Sequence, residues 1–295
     1  MIGLCGDFVK LTRMLRERGP RRAVGIALLA IRARLMRRLD VAWEKSLGLS
    51  FDESHICLDS LHIDSPNKQH GFSYVPCTGV AVRTLLDSIK STLRGFCFID
   101  FGSGEGRSLI TAATYPFDEI IGVEFANELH QVAGRNIAKA SSVITANTTV
   151  RSICLDAAHF NIPRRDSVLY FYNPFGEAVF KTVLRNIERV HRECGAKFYI
   201  VFHQTRADLE TDNTKNAELL CAARFLKPCS IRFNSSWTRF LLGSQDLYIF
   251  ETVETTDDAS INECDPAERL SETIFVLPTA ATVDLSGTAA MVSSP

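Results

Sequence analysis

Apolar and polar positions change rhythm along the 295-residue chain. From Leu28 to Leu47 the apolar residues Leu28, Leu29, Ile31, Leu35, Leu39, Val41, Ala42 and Leu47 recur near the helical period. Arg32, Arg34, Arg37 and Arg38 stand between them, which predicts a basic amphipathic helix. Residues 50–73 are polar and mixed, with Ser65-Pro66-Asn67 as a turn signal, and read as a connecting segment. Between about 78 and 252 short apolar runs alternate with helical patterns. The predicted strands are Phe96–Phe101, Ile120–Glu124, Val150–Leu155, Ser167–Tyr172, Lys197–Phe202 and Asp246–Thr252. The predicted helices between them are Arg107–Tyr115, Asn127–Ala140 and Gly176–Arg192. Nearly all-apolar strands alternating with helices imply an α/β fold, a Rossmann-like, mostly parallel sheet covered on both faces. The last strand follows Phe240–Ser244 closely, so an antiparallel edge pairing is expected there. After Thr255 the chain turns to Thr, Ser, Ala and acids with almost no aromatics, and disorder is expected.

Three segments follow: a basic helical extension and linker over 1–73, a domain over 74–253 and an acidic tail over 254–295. With 46% apolar and 23% charged residues the chain can fill a core, which excludes wholesale disorder and collagen-like or coiled-coil structure. The net charge of −1 hides a strong polarity. Residues 1–50 carry eleven bases and four acids, residues 254–295 eight acids against Arg269. The basic helix is expected to form a cover on the core, a ligand cleft being one place for it. Solvated arginines, a membrane surface or a nucleic acid are the alternatives for its charge, so an anionic partner is open. The nine cysteines are odd in number and form no C-x-x-C pair, which argues against a disulfide framework or zinc ribbon and for a reduced, cytoplasmic setting. Ala23–Ile31 is about half of what a bilayer span needs, so no stable membrane span is expected.

The chemistry concentrates at strand ends. Phe98-Ile-Asp-Phe-Gly-Ser-Gly-Glu-Gly-Arg107 is an apolar strand running into three glycines and then a helix, a place where a backbone can turn sharply and approach a nucleotide-like ligand. Gly102, Gly104 and Gly106 give G-x-G-x-G, whereas the dinucleotide fingerprint needs its third glycine where Arg107 stands, which disfavours NAD. Ile120-Ile-Gly-Val-Glu124 ends in a carboxylate able to accept both hydroxyls of a ribose, and Cys154-Leu-Asp156-Ala157 places another acid at the next strand end, for an adenine amino group. Tyr170-Phe-Tyr-Asn173-Pro174-Phe175-Gly176 ends the fourth strand. Its residues either meet an acceptor or form a turn in which Asn173 caps the next helix and Pro174 opens it. His203 and Gln204 follow the fifth strand and read as a solvated loop. His159 and His191 lack metal-ligand spacing and read as structural.

On these motifs the chain resembles the class I S-adenosylmethionine-dependent methyltransferases, over about Tyr74 to Thr252. The resemblance rests on Asp100-Phe-Gly102-Ser103-Gly104-Glu-Gly106, Glu124 and Asp156-Ala157. It is closest to an uncharacterised bacterial-type group sharing Tyr74-Val-Pro-Cys-Thr78, Gly-Ser-Gly-x-Gly-Arg, Gly-Val-Glu and Tyr-x-Asn-Pro-Phe-Gly-Glu, and more distantly similar to the non-SET histone lysine methyltransferases. It implies S-adenosyl-L-methionine as cofactor, held by Tyr74, Thr78, Asp100, Gly102, Ser103, Gly104, Gly106, Glu124, Asp156, Ala157 and Asn173, with Asn173, Pro174 and Phe175 on the acceptor side. In amino-methylating relatives an Asn/Asp-Pro-Pro-Tyr/Phe motif holds the target nitrogen; this chain is one Pro short. The expected activity is direct, metal-free methyl transfer to a protein lysine, an RNA base or a small amine. The alternative is a cofactor-binding scaffold docked through its basic arm that methylates nothing.

Overall fold

The computed structural model describes residues 20–49, 51, 55–145, 147–205 and 214–253; the acidic tail and its expected disorder lie outside them. Seven strands form one sheet: β1 (Cys97–Phe101), β2 (Glu119–Glu124), β3 (Thr149–Cys154), β4 (Ser167–Tyr172), β5 (Phe198–Thr205), β6 (Leu226–Cys229) and β7 (Gln245–Thr252). Their spatial order is β3-β2-β1-β4-β5-β7-β6. β3, β2, β1, β4 and β5 pair in parallel, and β7 runs antiparallel to both β5 and β6. This is the Rossmann-like α/β architecture that the strand pattern implies. The chain winds outward from β1 to β3, then returns to the other side of β1 as β4, and the switch point between β1 and β4 opens a crevice at the carboxyl ends of the strands.

Pleating sorts the strand residues into two cores. Phe98, Tyr170, Val201 and Ile249 face one side with Val82, Leu85 and Leu86 of α2 (Gly79–Ile89). Ile99, Phe101, Leu169, Phe171 and Phe202 face the other. There α5 (Glu177–Cys194) lays down Val179, Phe180, Val183, Ile187 and Val190 at helical spacing. The remaining helices of regular length are α1 (Pro20–Ser46), α3 (Arg107–Ala112), α4 (Asn127–Lys139), α6 (Thr214–Ala222) and α7 (Ser236–Leu241).

Three expectations are refined by the structure. The N-terminal helix begins at Pro20 and not near Leu28, consistent with proline's fit at a first helical position. The antiparallel pairing expected for the last strand is found, with β7 running against β5 and against the short edge strand β6, which sequence reading missed; Phe240 itself belongs to α7. Pro228 in β6 cannot donate to a ladder, a restriction an edge tolerates. Finally, α1 covers the core as expected, but among the described residues none of it lines the cleft. It packs beside α2 and α7, with Met36, Asp40 and Glu44 as its buried positions. Asp40 accepts from Thr78 Oγ1 (2.6 Å) and Gly79 N (3.1 Å), and Glu44 pairs with the buried Arg107 at 2.8 Å.

Candidate functional site

An open cleft of about 790 Å3, its mouth included, lies over the carboxyl ends of β1, β2, β3 and β4. Its floor includes Gly102, Glu124, Asp156, Ala157, Asn173, Pro174 and Phe175, so residues from four separate motifs meet there.

Gly102, Gly104 and Gly106 all have left-handed φ values, 87°, 52° and 85°, the conformation that favours glycine. At Gly104 space matters as well, because a Cβ would stand 2.3 Å from the Tyr74 ring, which also lines the cleft. Glu124 is buried. Its Oε2 accepts from Gly104 N and its Oε1 from Ala126 N, both at 2.8 Å. The carboxylate thus holds the glycine turn and still has lone pairs for ligand hydroxyls. Burial drives its pKa up, against the backbone N–H groups that bind it.

Asp100 lies behind the loop and does not line the cleft. It is fully enclosed, accepts a hydrogen bond from Ser108 Oγ through Oδ2, and leaves Oδ1 without a hydrogen-bond partner. Burial, opposed by Ser108, pushes its carboxyl up to about 7. Ser103 is also buried with an unpartnered Oγ, fitted against Gly122, where a Cβ would meet that oxygen at 2.5 Å. Gly104, Gly106 and Thr78 likewise do not line the cleft. Gly106 closes on Ala133 of α4, and Thr78 caps α2 by accepting from Val80 N while donating to Asp40.

Asp156 faces the cleft with its carboxylate engaged by its own chain. Oδ2 accepts from Ser65 Oγ (2.5 Å) and Asn67 Nδ2 (2.8 Å), and Oδ1 from Ala158 N (2.8 Å). Burial alone would raise this acid, but those hydrogen bonds outweigh it and hold it below the ordinary range. Ser65 and Asn67 belong to a roof that sequence reading treated as linker. Its other ties are an Ile56–Tyr74 bridge, His62 N to Glu128 (3.0 Å) and Gly176 N to His70 O (2.7 Å). Leu61, Gly71, Phe72 and Ser73 complete the cleft wall. Only the Ser65-Pro66-Asn67 turn signalled an ordered segment, and its partner lies 91 residues away.

The turn after β4 is not a helix cap. The cap position of α5 is Gly176, three residues past Asn173. Asn173 has φ 37°, a left-handed conformation that Asn tolerates better than most residues, and its N donates to His203 O at 3.0 Å. Phe175 O accepts from Asn216 Nδ2 (2.9 Å), while its ring meets Phe171 edge-on at 6.5 Å. The segment is therefore fixed at Asn173, Phe175 and Gly176 while Asn173, Pro174 and Phe175 border the cleft.

His203 is not in a loop. It lies inside β5, buried, between Tyr170 Oη on Nδ1 (2.7 Å) and Gln245 Oε1 on Nε2 (2.8 Å), and burial, opposed by the Gln245 hydrogen bond, holds it down at about 4. It is therefore neutral at physiological pH, with Nε2 donating to Gln245. Gln204 follows it within the same strand. Cys77, which departs from the Thr-like residue of the resembling motif, is buried with its carbonyl accepting from Arg107 Nη1 at 2.7 Å. His191 is buried against the Ala196 and Val253 carbonyls. Among the described residues no cluster of His, Cys, Asp and Glu is arranged to hold a metal ion, and no helix is long and apolar enough to cross a membrane.

The cleft has residues that could hold a nucleoside. Glu124 offers acceptors at the end of β2, and Val123, Leu129 and Leu155 offer apolar walls for a flat ring. No family model and no curated protein matches the sequence. Among solved structures the chain is similar to an rRNA methylase from Streptococcus thermophilus, at 15% identity over 59% of this chain and 97% of that one, TM-score 0.40. It is similar to a putative RNA methyltransferase from Pyrococcus horikoshii, at 16% identity over 66% and 95%, TM-score 0.40. It is also similar to the StiE O-MT, at 11% identity over 64% and 76%, TM-score 0.40. At these identities and TM-scores the likeness assigns neither an activity nor an acceptor to this chain.

Proposed function

We propose that the protein is an S-adenosylmethionine-dependent methyltransferase whose acceptor atom is a nitrogen. The observation that carries this reading is the convergence on one cleft, at the β1/β4 switch point, of Gly102 at the head of the glycine turn, Glu124, which holds that turn through Gly104 N, and the Asn173-Pro174-Phe175 turn. Glu124 would take the ribose hydroxyls, Val123, Leu129 and Leu155 the adenine, and Gly102 the chain beyond the ribose. Bound there, S-adenosylmethionine supplies a methyl group on a sulfonium sulfur. Asn173 orients the acceptor by accepting a hydrogen bond from its N–H, which aims the lone pair at the methyl. Phe175 limits the acceptor's sideways movement. The roof from Leu61 to Val75 excludes water, which strengthens the polar contacts inside. Catalysis on this account is positioning, for which the several anchors of the 173–176 turn are suited.

The test is transfer of labelled methyl from S-adenosylmethionine to fractions of a cell lysate. Label should appear in an acid-stable, nitrogen-linked product and fall sharply with Asn173→Ala. Cofactor binding without transfer to any fraction would remove the enzyme reading, and labelled oxygen or carbon would remove the nitrogen assignment.

A further inference from the structure

The N-terminal helix inverts the usual arrangement of a surface helix, which buries apolar residues and exposes charge. In α1 the only acids, Asp40 and Glu44, are both buried, 2% and 3% exposed, and together with Met36 they form the docking side. Val24, Leu28, Ile31 and Leu39 are instead 55%, 38%, 47% and 45% exposed. Val24, Leu28 and Ile31 are four and three residues apart and Leu39 lies eight further on, so they share one side of the helix, with Leu35 between them packed against the core. The other large apolar side chain exposed among the described residues is Trp237, at 54%. It belongs to the same surface: α7 packs on α1, the Arg32 guanidinium lies 4.7 Å over the Phe240 ring, and Trp237 stacks on Phe240 at 5.5 Å. Arg34 and Arg38, both exposed, follow the row along its other flank.

We infer that this face of α1, with Trp237, docks the protein on the surface of an anionic phospholipid bilayer. The aliphatic row requires an apolar medium. Trp237 has the half-apolar, half-polar ring that suits the lipid–water boundary, and the arginines match anionic headgroups. With both acids turned inward, the charged side chains that the helix itself turns outward are basic. A nucleic acid would satisfy the arginines but leave the aliphatic row in water. The helix lies in the interface and does not span it, consistent with its length of apolar chain. The inference is independent of methyl transfer, since the face lies away from the cleft.

The experiment is co-sedimentation of the full chain with vesicles of phosphatidylcholine, alone or mixed with phosphatidylserine, alongside emission spectra. Binding is expected to the mixed vesicles, weakened by salt, with a blue shift that Trp237→Phe removes. Leu28→Ser/Ile31→Ser should lower partitioning at least about tenfold with an unchanged melting temperature. Arg34→Gln/Arg38→Gln should lower it on anionic vesicles only. Absence of binding by the full chain, equal binding by the serine variant, or displacement from vesicles by RNA with protection of Arg34 and Arg38 would overturn the inference.

Discussion

The floor of the cleft is made of residues at or just past the strand ends: Gly102 follows β1, Glu124 ends β2 and Asn173 follows β4, three strands paired on both sides, while Asp156 and Ala157 follow the edge strand β3, paired with β2 alone. The roof, residues 55–75, has one isolated bridge within itself and is held to the rest of the chain by side-chain hydrogen bonds to Asp156 and Glu128, by the His70–Gly176 and Asn127–His62 backbone bonds, and by Leu61, Ile56, Ile63 and Tyr74 packed against Ala126, Leu129 and Phe125. A ladder residue cannot shift without its neighbours, whereas each roof tie contributes on the order of 1 kcal/mol. The floor is thus held mainly by ladder hydrogen bonds and the roof mainly by side-chain contacts and a small apolar cluster.

The largest effect should come from Gly104→Val on the floor. It combines a φ of 52° with a Cβ set 2.3 Å from Tyr74, so a loss on the order of 4 kcal/mol in stability and the disappearance of cofactor binding are expected. Thermal melting and calorimetry check both, and an unchanged melt would contradict the described turn.

Asp100 comes next. Its folded carboxyl is raised to about 7 by burial, above the unfolded value near 4, so the folded state binds the extra proton. Stability should therefore fall as pH rises from about 4 to 7, by on the order of 3 kcal/mol across that window. Asp100→Asn should flatten this slope; denaturant melts across the pH range measure it, and a slope that survives the substitution would sink the assignment.

Asn173 should cost less and act elsewhere. Asn173→Ala is expected to reduce turnover by on the order of 1–3 kcal/mol while leaving cofactor affinity nearly unchanged. Asn173→Gly relieves the left-handed backbone and should keep or raise stability yet lose the same turnover. If both variants lose stability and not turnover, the turn is structural.

The smallest effect is in the roof. Ser65→Ala/Asn67→Ala should accelerate amide exchange over 61–75 while leaving β1 and β4 protected. Asp156 is held below the ordinary carboxylate range, so the stability it adds is present at neutral pH and lost as pH falls below about 4; the double variant should lose that acid dependence. Equal acceleration in β4 would mean that roof and floor are one unit.

How much of this was readable follows from the range of each interaction. β4 is found at its expected bounds, Ser167–Tyr172, because a six-residue apolar strand flanked by polar residues is a local signal. The glycine turn and Glu124 were readable for the same reason, each closing a strand within its own β–α unit. The roof was not, since Ser65 and Asn67 acquire their meaning from Asp156, far along the chain. Thr78 was expected at the cofactor and instead serves α1 through Asp40, a contact across 38 residues. His203 looked like loop because it is polar, but Tyr170 and Gln245 satisfy both ring nitrogens and let the strand continue to Thr205. On α1 the periodicity was visible, yet which side would be buried depended on Arg107 and Thr78, which accommodate acids where an apolar face was the simpler expectation.

The central claim is that Glu124 and the glycine turn form a nucleoside site, and calorimetric titration of S-adenosylhomocysteine into the wild type and Glu124→Gln tests it most directly. Saturable one-site binding that weakens at least about tenfold in the folded variant is the predicted result. No binding by the wild type, or equal affinity in the two proteins, would contradict it.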